Sequence, residues 1–289
     1  MANKKLKAPV NIPVEKIHPF EGHPYKILDN DEMNTLIESI QQKGVISPIV
    51  VRPLENTDDE YELISGHRRL RASVKAGLET VPALIYAVSR DEAAIMLVDS
   101  NLHREHILPS ERAFAYKLKS EALKHQGKRT DLTSVQVAPK LSTEQIAATE
   151  NISKDTVKRY IRLTYLIPDL LDLVDEERIA FTPAVELSYL NEVEQADLVE
   201  EIRVCDATPN LSQAQRLRAI SREEGLTPEH IGEILAEEKA NQKPMIKMPA
   251  EKIQKIAPKI KEKDLEDFIL KSCEYYYRHL MRSRDRDAR

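Results

Sequence analysis

The segment Leu141–Leu163, LSTEQIAATENISKDTVKRYIRL, constrains this chain more than any other stretch. It reads as two short helices joined by a tight turn. Ser142 caps the first, with Gln145 three residues on, as a capping box requires, and Ile146 and Ala147 supply the apolar face. Asn151 tolerates the left-handed conformation that a sharp turn demands. Ser153 caps the second helix, in which Val157, Tyr160 and Ile161 recur at helical spacing and face inward. Lys154, Asp155, Thr156, Lys158, Arg159 and Arg162 are left for the outer face. A helix-turn-helix presents base-reading side chains to duplex DNA in this way. An ordinary helical hairpin with a solvated charged face is the alternative.

Length and composition bound what surrounds this segment. At 289 residues the chain has room for two or three domains, and 31% charged residues with only 7 glycines and no tryptophan favour a helix-rich protein. No run approaches the roughly 20 apolar residues that cross a bilayer. Met1–Lys7 carries charge without an apolar core, so no signal peptide is expected. Cys205 and Cys273 lie far apart and form no metal-ligand spacing, which fits a reducing cytoplasm. The net charge of −5 conceals segregation. Five basic residues face three acidic ones from Lys140 to Arg162, eleven acidic residues face Arg178 alone from Tyr165 to Glu201, and eight lysines face two glutamates from Lys239 to Lys263. Local field decides where phosphate docks, so this pattern permits DNA binding despite the acidic total.

Periodicity divides the chain. Pro9–Ile17 reads as a strand, Asp31–Lys43 as a helix with Gly44 at its C-cap, and Pro48–Arg52 and Tyr61–Ile64 as strands. A helix opened by Gly66 runs to Ala76, Val81–Val88 is a strand, and Arg90–Asn101 is a helix. Residues 1–105 are therefore expected to form a small α+β domain. From 106 to 236 the periodicity is helical. A helix runs from Pro109 through Lys124, a polar loop spans Gly127–Lys140, the helix-turn-helix follows, and later helices break at Pro168, Pro183 and Pro209. Residues 237–263 read as a basic linker. Residues 264–289 hold one helix, Asp264 to about Arg282, with an apolar stripe of Leu265, Phe268, Ile269, Cys273, Tyr276, Tyr277 and Leu280. Such a stripe is buried against a partner subunit or back on its own chain.

Three motifs in the first domain suit an anion. Gly44-Val-Ile-Ser-Pro48 links a helix to a strand. In Ser65-Gly-His-Arg-Arg-Leu-Arg71 a strand ends, glycine lets the backbone approach closely, and a helix N-terminus offers free amides. Arg68, Arg69 and Arg71 at that terminus oppose the macrodipole unless an anion or an acid such as Glu60 or Glu62 compensates them. Arginine forks grip phosphate bidentately. Asp99-Ser-Asn-Leu-His-Arg104 closes the third helix, where Asn101 offers an oxygen to magnesium and Arg104 a cation to phosphate.

In this order and spacing the motifs resemble the ParB family of partition proteins over roughly residues 10–235. Gly44–Pro48, Gly66-His-Arg-Arg69, Ser100-Asn-Leu-His-Arg104 with Leu108-Pro-Ser-Glu-Arg112, the helix-turn-helix, and Ile179-Ala-Phe-Thr-Pro-Ala-Val-Glu-Leu187 carry the likeness. The resemblance implies a ParB/sulfiredoxin-type α+β domain, a helical DNA-binding domain and a C-terminal dimerisation helix. It also implies a homodimer that binds a short palindromic centromere-like site on double-stranded DNA, CTP and Mg2+ as ligands, and a ParA-type ATPase as partner. Carried over by position, Gly44, Ser47, Gly66, His67, Arg68, Arg69, Arg71, Asn101 and Arg104 surround the nucleotide, with Asn101 at the metal. Two positions depart from the pattern: His67 and Ser100 each stand where the family has glutamate, and the serine at a metal position points to CTP bound weakly or held without hydrolysis. Lys4, Lys5 and Lys7 are either a ParA-contacting arm or a solvated tail.

For DNA contact the sequence singles out Thr143, Gln145, Ser153, Lys154, Thr156, Lys158, Arg159 and Arg162. Lys158 and Arg159 suit phosphates, Lys154 and Thr156 base edges. A ParB-like transcription regulator of a mobile element, without a partition role, is the alternative function. The N-terminal domain also resembles sulfiredoxin, but Ser65 occupies the place of the cysteine that activity needs. Nucleoid-occlusion relatives carry an amphipathic membrane-binding helix, and Met1–Ile12, interrupted by Pro9, has no such face.

Overall fold

The computed structural model describes residues 8–55, 57–102, 104, 106–130, 138–237 and 265–287. It divides into two compact units, 1–237 and 238–289. The first unit opens with five short strands: β1 (Val10–Pro13), β2 (Ile17–His18), β3 (Ile49–Pro53), β4 (Tyr61–Ser65) and β5 (Thr80–Ile85). Their order in the sheet is β1-β5-β3-β4-β2, so the two strands nearest in sequence occupy opposite edges. A three-residue 3-10 turn, Val14–Lys16, joins them. Such a turn rises about 6 Å, whereas five strands laid flat would set their outer pair roughly 19 Å apart. The sheet must therefore curl toward closure. This corrects the single strand expected over Pro9–Ile17: β1 pairs antiparallel with β5 and β2 parallel with β4, and the chain breaks between them to reach both edges.

Three helices accompany the sheet: α1 (Asp31–Lys43), α2 (His67–Lys75) and α3 (Arg90–Asn101). Asn30 caps α1 by accepting from the Met33 amide, Gly44 ends it at φ 70°, and Ser89 with Glu92 forms a capping box on α3. Met33, Ile40 and Ala72 tie α1 to α2, while Ile12, Ile49, Val51, Leu63 and Val81 fill the sheet interior. Across the sheet, Arg52 and Glu62 form a buried ion pair at 2.6 Å between directly opposed residues of β3 and β4.

The rest of the first unit is helical, as expected: α4 (Pro109–Thr130), α5 (Ala138–Glu150), α6 (Lys154–Leu163), α7 (Pro168–Asp175), α8 (Phe181–Leu187), α9 (Glu192–Cys205), α10 (Leu211–Glu223) and α11 (Pro228–Ala236). Pro168 starts α7, Pro183 sits in the first turn of α8 and Pro209 precedes the Asn210 cap of α10. The loop expected over Gly127–Lys140 is shorter. Helix α4 continues to Thr130, and α5 begins at Ala138 with Pro139 in its first turn, where no amide is needed. Ser142 is thus inside α5 rather than at its cap. Its buried hydroxyl meets that of Ser120 on α4 at 3.0 Å.

One apolar cluster runs from Phe20, Tyr25 and Ile64 through Leu97 and Val98 of α3, Tyr116 of α4 and Ile146 of α5 to Val157 of α6. The helix-turn-helix therefore shares a core with the sheet domain, and α4, which starts at Pro109, packs with α3 in that core. A second cluster, from Leu163 to Leu235, holds α7 to α11 together. In the second unit the described residues form one helix, Leu265–Asp287, a turn longer than expected. Phe268 and Ile269 are partly covered, whereas Cys273, Tyr276 and Tyr277 are exposed. The linker and the Lys4, Lys5 and Lys7 arm lie outside the described residues. No described helix is long and apolar enough to cross a membrane.

Candidate functional site

The first site is a cleft of about 570 Å3 walled by the loop before α1, α1 itself, the start of α2 and the end of α3. Gly66 makes its floor. This residue is the N-cap of α2 at φ 103°, and a Cβ there would fall 2.8 Å from Ile49 Cγ2. Only glycine allows the strand-to-helix turn to pack so closely. Arg69, one turn on, reaches back and donates to the carbonyls of Ser47 (2.7 Å) and Pro48 (2.6 Å). It fastens the Gly44–Pro48 loop to α2, and burial holds its pKa below the usual arginine range.

His67 occupies the first position of α2. Its ring stacks on His23 at 3.7 Å between centroids, and its buried Nε2 has no hydrogen-bond partner. His23 in turn meets the edge of Tyr25, and Arg104 lies over the Tyr25 ring at 5.5 Å. Burial first, then His23 and Arg104, pushes His67 down to about 3; burial, with Arg104, brings His23 to about 4. Burial thus favours the uncharged form of both imidazoles. Arg68 pairs with Glu32 at 3.0 Å across the cleft mouth, and Arg71 and Lys75 share Asp29 on the outer side of α2. The acids that compensate these arginines thus come from Glu32 and Asp29; Glu62 belongs to Arg52, and Glu60 lies 3.2 Å from His18.

Of the nucleotide residues expected, Gly66, His67, Arg68, Arg69, Asn101 and Arg104 line this cleft, and Gly44, Ser47 and Arg71 do not. His23, Tyr25 and Glu32 line it and escaped the sequence reading. Their only signal was a Pro- and Gly-bearing loop followed by a helix start.

The divalent ion that the resemblance implies meets a poor donor set. The Asn101 amide is buried, and its Nδ2 donates to Leu97 O (2.7 Å) and Ser100 Oγ (3.2 Å), leaving Oδ1 alone. The Ser100 hydroxyl donates to Leu97 O at 3.0 Å. Asp99 is turned to Lys119 at 2.5 Å, and Glu32 is taken by Arg68. No group of three His, Cys, Asp or Glu able to hold a metal occurs among the described residues. Magnesium demands an octahedron of oxygens, usually anchored by carboxylates, and these residues do not fit it.

The second site is the helix-turn-helix. Asn151 makes the turn at φ 54°, and the Ser153 hydroxyl accepts from the Thr156 amide at 3.0 Å. Val157 is fully buried beneath α6, with Tyr160 and Ile161 partly covered. Lys154 pairs with Glu144 (2.6 Å) and Lys158 with Asp155 (3.3 Å), both at the surface. Exposed pairs contribute about 1 kcal/mol or less, so phosphate can displace them. Gln145 is exposed, whereas Thr143 is 7% exposed at the base of the groove.

Arg159 and Arg162 point differently. Arg159 donates to Thr182 Oγ1 (2.8 Å) over the Phe181 ring, and Arg162 donates to Ser188 Oγ and O. The Arg162 guanidinium lies 4.5 Å from the Tyr165 ring centroid and 4.0 Å from that of Tyr189. Both arginines lock α6 to α8. The cations on the open side come instead from α4: Lys117 and Lys124 join Lys154 and Lys158 along a groove of about 430 Å3. Sequence reading missed these two because their charges sit on a helix outside the motif.

Residues 2–102 match the ParB N-terminal domain family. The chromosome-partitioning protein Spo0J of Thermus thermophilus is 30% identical over 209 residues, which cover 72% of this chain and 70% of that protein. A nucleoid occlusion protein of Listeria innocua is 40% identical over 108 residues, 37% of each chain. A C-terminally truncated chromosome-partitioning protein ParB from Caulobacter crescentus, complexed with CTP-gamma-S, is similar in structure with a TM-score of 0.32 and 24% identity, covering 68% of this chain and 99% of that one. Identity of 30% to Spo0J over 70% of that protein, with the match of residues 2–102 to the ParB N-terminal domain, places this chain in the ParB family of partition proteins.

Proposed function

We propose that this protein is a homodimeric, sequence-specific DNA-binding partition factor whose N-terminal cleft holds CTP. The observation that carries the reading is the open face of α6. Its N-terminus is capped by Ser153 and its apolar side is sealed by Val157, while Lys154 and Lys158 line the groove with Lys117 and Lys124 beside them. A helix held so rigidly at its base presents a few side chains to the major groove, and flanking lysines meet the phosphates.

The dimer reading rests on the C-terminal helix, whose Tyr276 and Tyr277 are exposed in the single chain. A two-fold dimer reads a palindrome, with half-sites set by the spacing of its two α6 helices. Nucleotide binding is supported by the cleft, where Gly66 brings backbone amides of α2 forward and Arg68 and Arg104 supply charge. His67 and Ser100 carry no carboxylate, and Glu32, the carboxylate among the described lining residues, is paired with Arg68, so CTP is held without turnover. Family membership supports a ParA-type ATPase as partner.

Sequencing genomic DNA fragments retained by the purified protein, with and without CTP, tests this function. The expected result is enrichment of one short palindrome, with flanking DNA added when CTP is present. Retention with no sequence preference would refute site-specific binding, and rapid phosphate release from CTP would refute the non-hydrolytic reading.

A further inference from the structure

We propose that the cleft holds a bound triphosphate with imidazole N–H donors and guanidinium charge in place of a divalent cation, so that nucleotide binding here needs no magnesium. This rests on the nucleotide reading above and specifies its chemistry.

Two halves of the cleft point the same way. Oxygen donors are spent: Asp99 on Lys119, Glu32 on Arg68, and the Ser100 hydroxyl on the Leu97 carbonyl. Among the described lining side chains a hard ion is left the Oδ1 of Asn101 and neutral hydroxyls such as those of Thr35 and Ser39, with no unpaired carboxylate. Nitrogen donors, in contrast, are in surplus. The buried Nε2 of His67 has no hydrogen-bond partner, His23 is stacked against it at 3.7 Å, and Arg104 has no carboxylate partner among the described residues. An unsatisfied buried donor or acceptor is costly unless a ligand completes it.

The substitution at His67 explains the trade. A glutamate at the first position of α2 would face the phosphates with like charge, and a divalent ion between them would be required. An imidazole at the same place donates N–H directly to a phosphate oxygen, in line with the amides of the helix terminus. Neutral imidazole is also a poor ligand for magnesium, which prefers oxygen. Placing His67 there therefore removes both the need for the ion and the means of holding it.

Calorimetric titration of the full-length chain with CTP and with inorganic tripolyphosphate, each in EDTA and in magnesium, tests the proposal. The wild type should bind CTP in EDTA with a Kd within roughly threefold of that in magnesium, and H67E should lose roughly tenfold or more in EDTA. Adding S100E to H67E should make binding respond to magnesium. Loss of wild-type CTP affinity by roughly tenfold in EDTA would overturn the proposal and leave the nucleotide reading intact. Tripolyphosphate binding in EDTA without CTP binding would overturn the nucleotide reading and leave the metal-free polyanion site standing. Binding of neither ligand in either buffer would overturn both.

Discussion

Replacing Gly66 with alanine is the sharpest test of how the cleft is built. At φ 103° and ψ 26° the backbone lies in the left-handed region, which costs an L-residue about 1–2 kcal/mol. The added methyl would also sit 2.8 Å from Ile49 Cγ2 and 3.1 Å from Arg69 Nη2. Arg69 can swing, but Ile49 is fully buried on the central strand and cannot retreat without moving the sheet interior. Overpacking of that kind costs about 1–3 kcal/mol. The two effects together predict a loss of about 3 kcal/mol, enough to be obvious against a typical stability of about 5–15 kcal/mol and not enough to prevent folding. Urea unfolding followed by circular dichroism reads it directly. The variant should also bind nucleotide more weakly, because displacing Arg69 frees the Ser47 and Pro48 carbonyls that it holds. A change below about 0.5 kcal/mol would refute the argument that glycine is required by geometry.

Glu62→Ala should cost about 3–5 kcal/mol, because it leaves Arg52, at 4% exposure, with a 3.8 Å contact to exposed Glu55 in place of its close partner, whereas the double change R52M/E62M should recover most of that loss in the same assay. His67 and His23 give a pH signature. Their native values of about 3 and 4 lie below the ordinary 6.5, so between those limits the unfolded chain binds protons that the native state refuses. Stability therefore falls as pH drops below 6.5, by about 2 kcal/mol at pH 5 from His67 and less from the more exposed His23, and H67Q should flatten that fall in urea midpoints. Lys158→Ala should reduce the slope of log affinity for DNA against log salt by about 1 with unchanged stability. Arg162→Ala should instead lower stability by about 1–3 kcal/mol through lost stacking and hydrogen bonds to Ser188, and an unchanged melting temperature would show that Arg162 serves DNA rather than α8.

Much of this fold was legible wherever local chemistry decides structure. The bounds of α1 and α3 follow from caps and periodicity, and Asn151 and Ser153 announce their turn and cap because no distant group competes for them. The readings that failed did so where a remote partner intervenes. Ser142 looks like a cap, but Ser120, 22 residues earlier, takes its hydroxyl. The Pro9–Ile17 strand divides because its two halves find different neighbours in the sheet. Arg159 and Arg162 have the spacing of DNA contacts, yet Phe181, Ser188 and Tyr189 arrive from α8 and its flank to claim them. The His23–His67 stack was invisible for the same reason, since 44 positions of chain separate two rings that only the fold brings together.

Dimethyl sulfate protection on the palindrome recovered from genomic DNA tests the central claim most directly, because it reads guanine N7 in the major groove. The account predicts two protected clusters about one helical turn, or a multiple of it, apart. Both should vanish in the Lys154→Ala, Lys158→Ala double variant. Full retention of the DNA with no protected guanine N7, or protection unchanged in that variant, would contradict it.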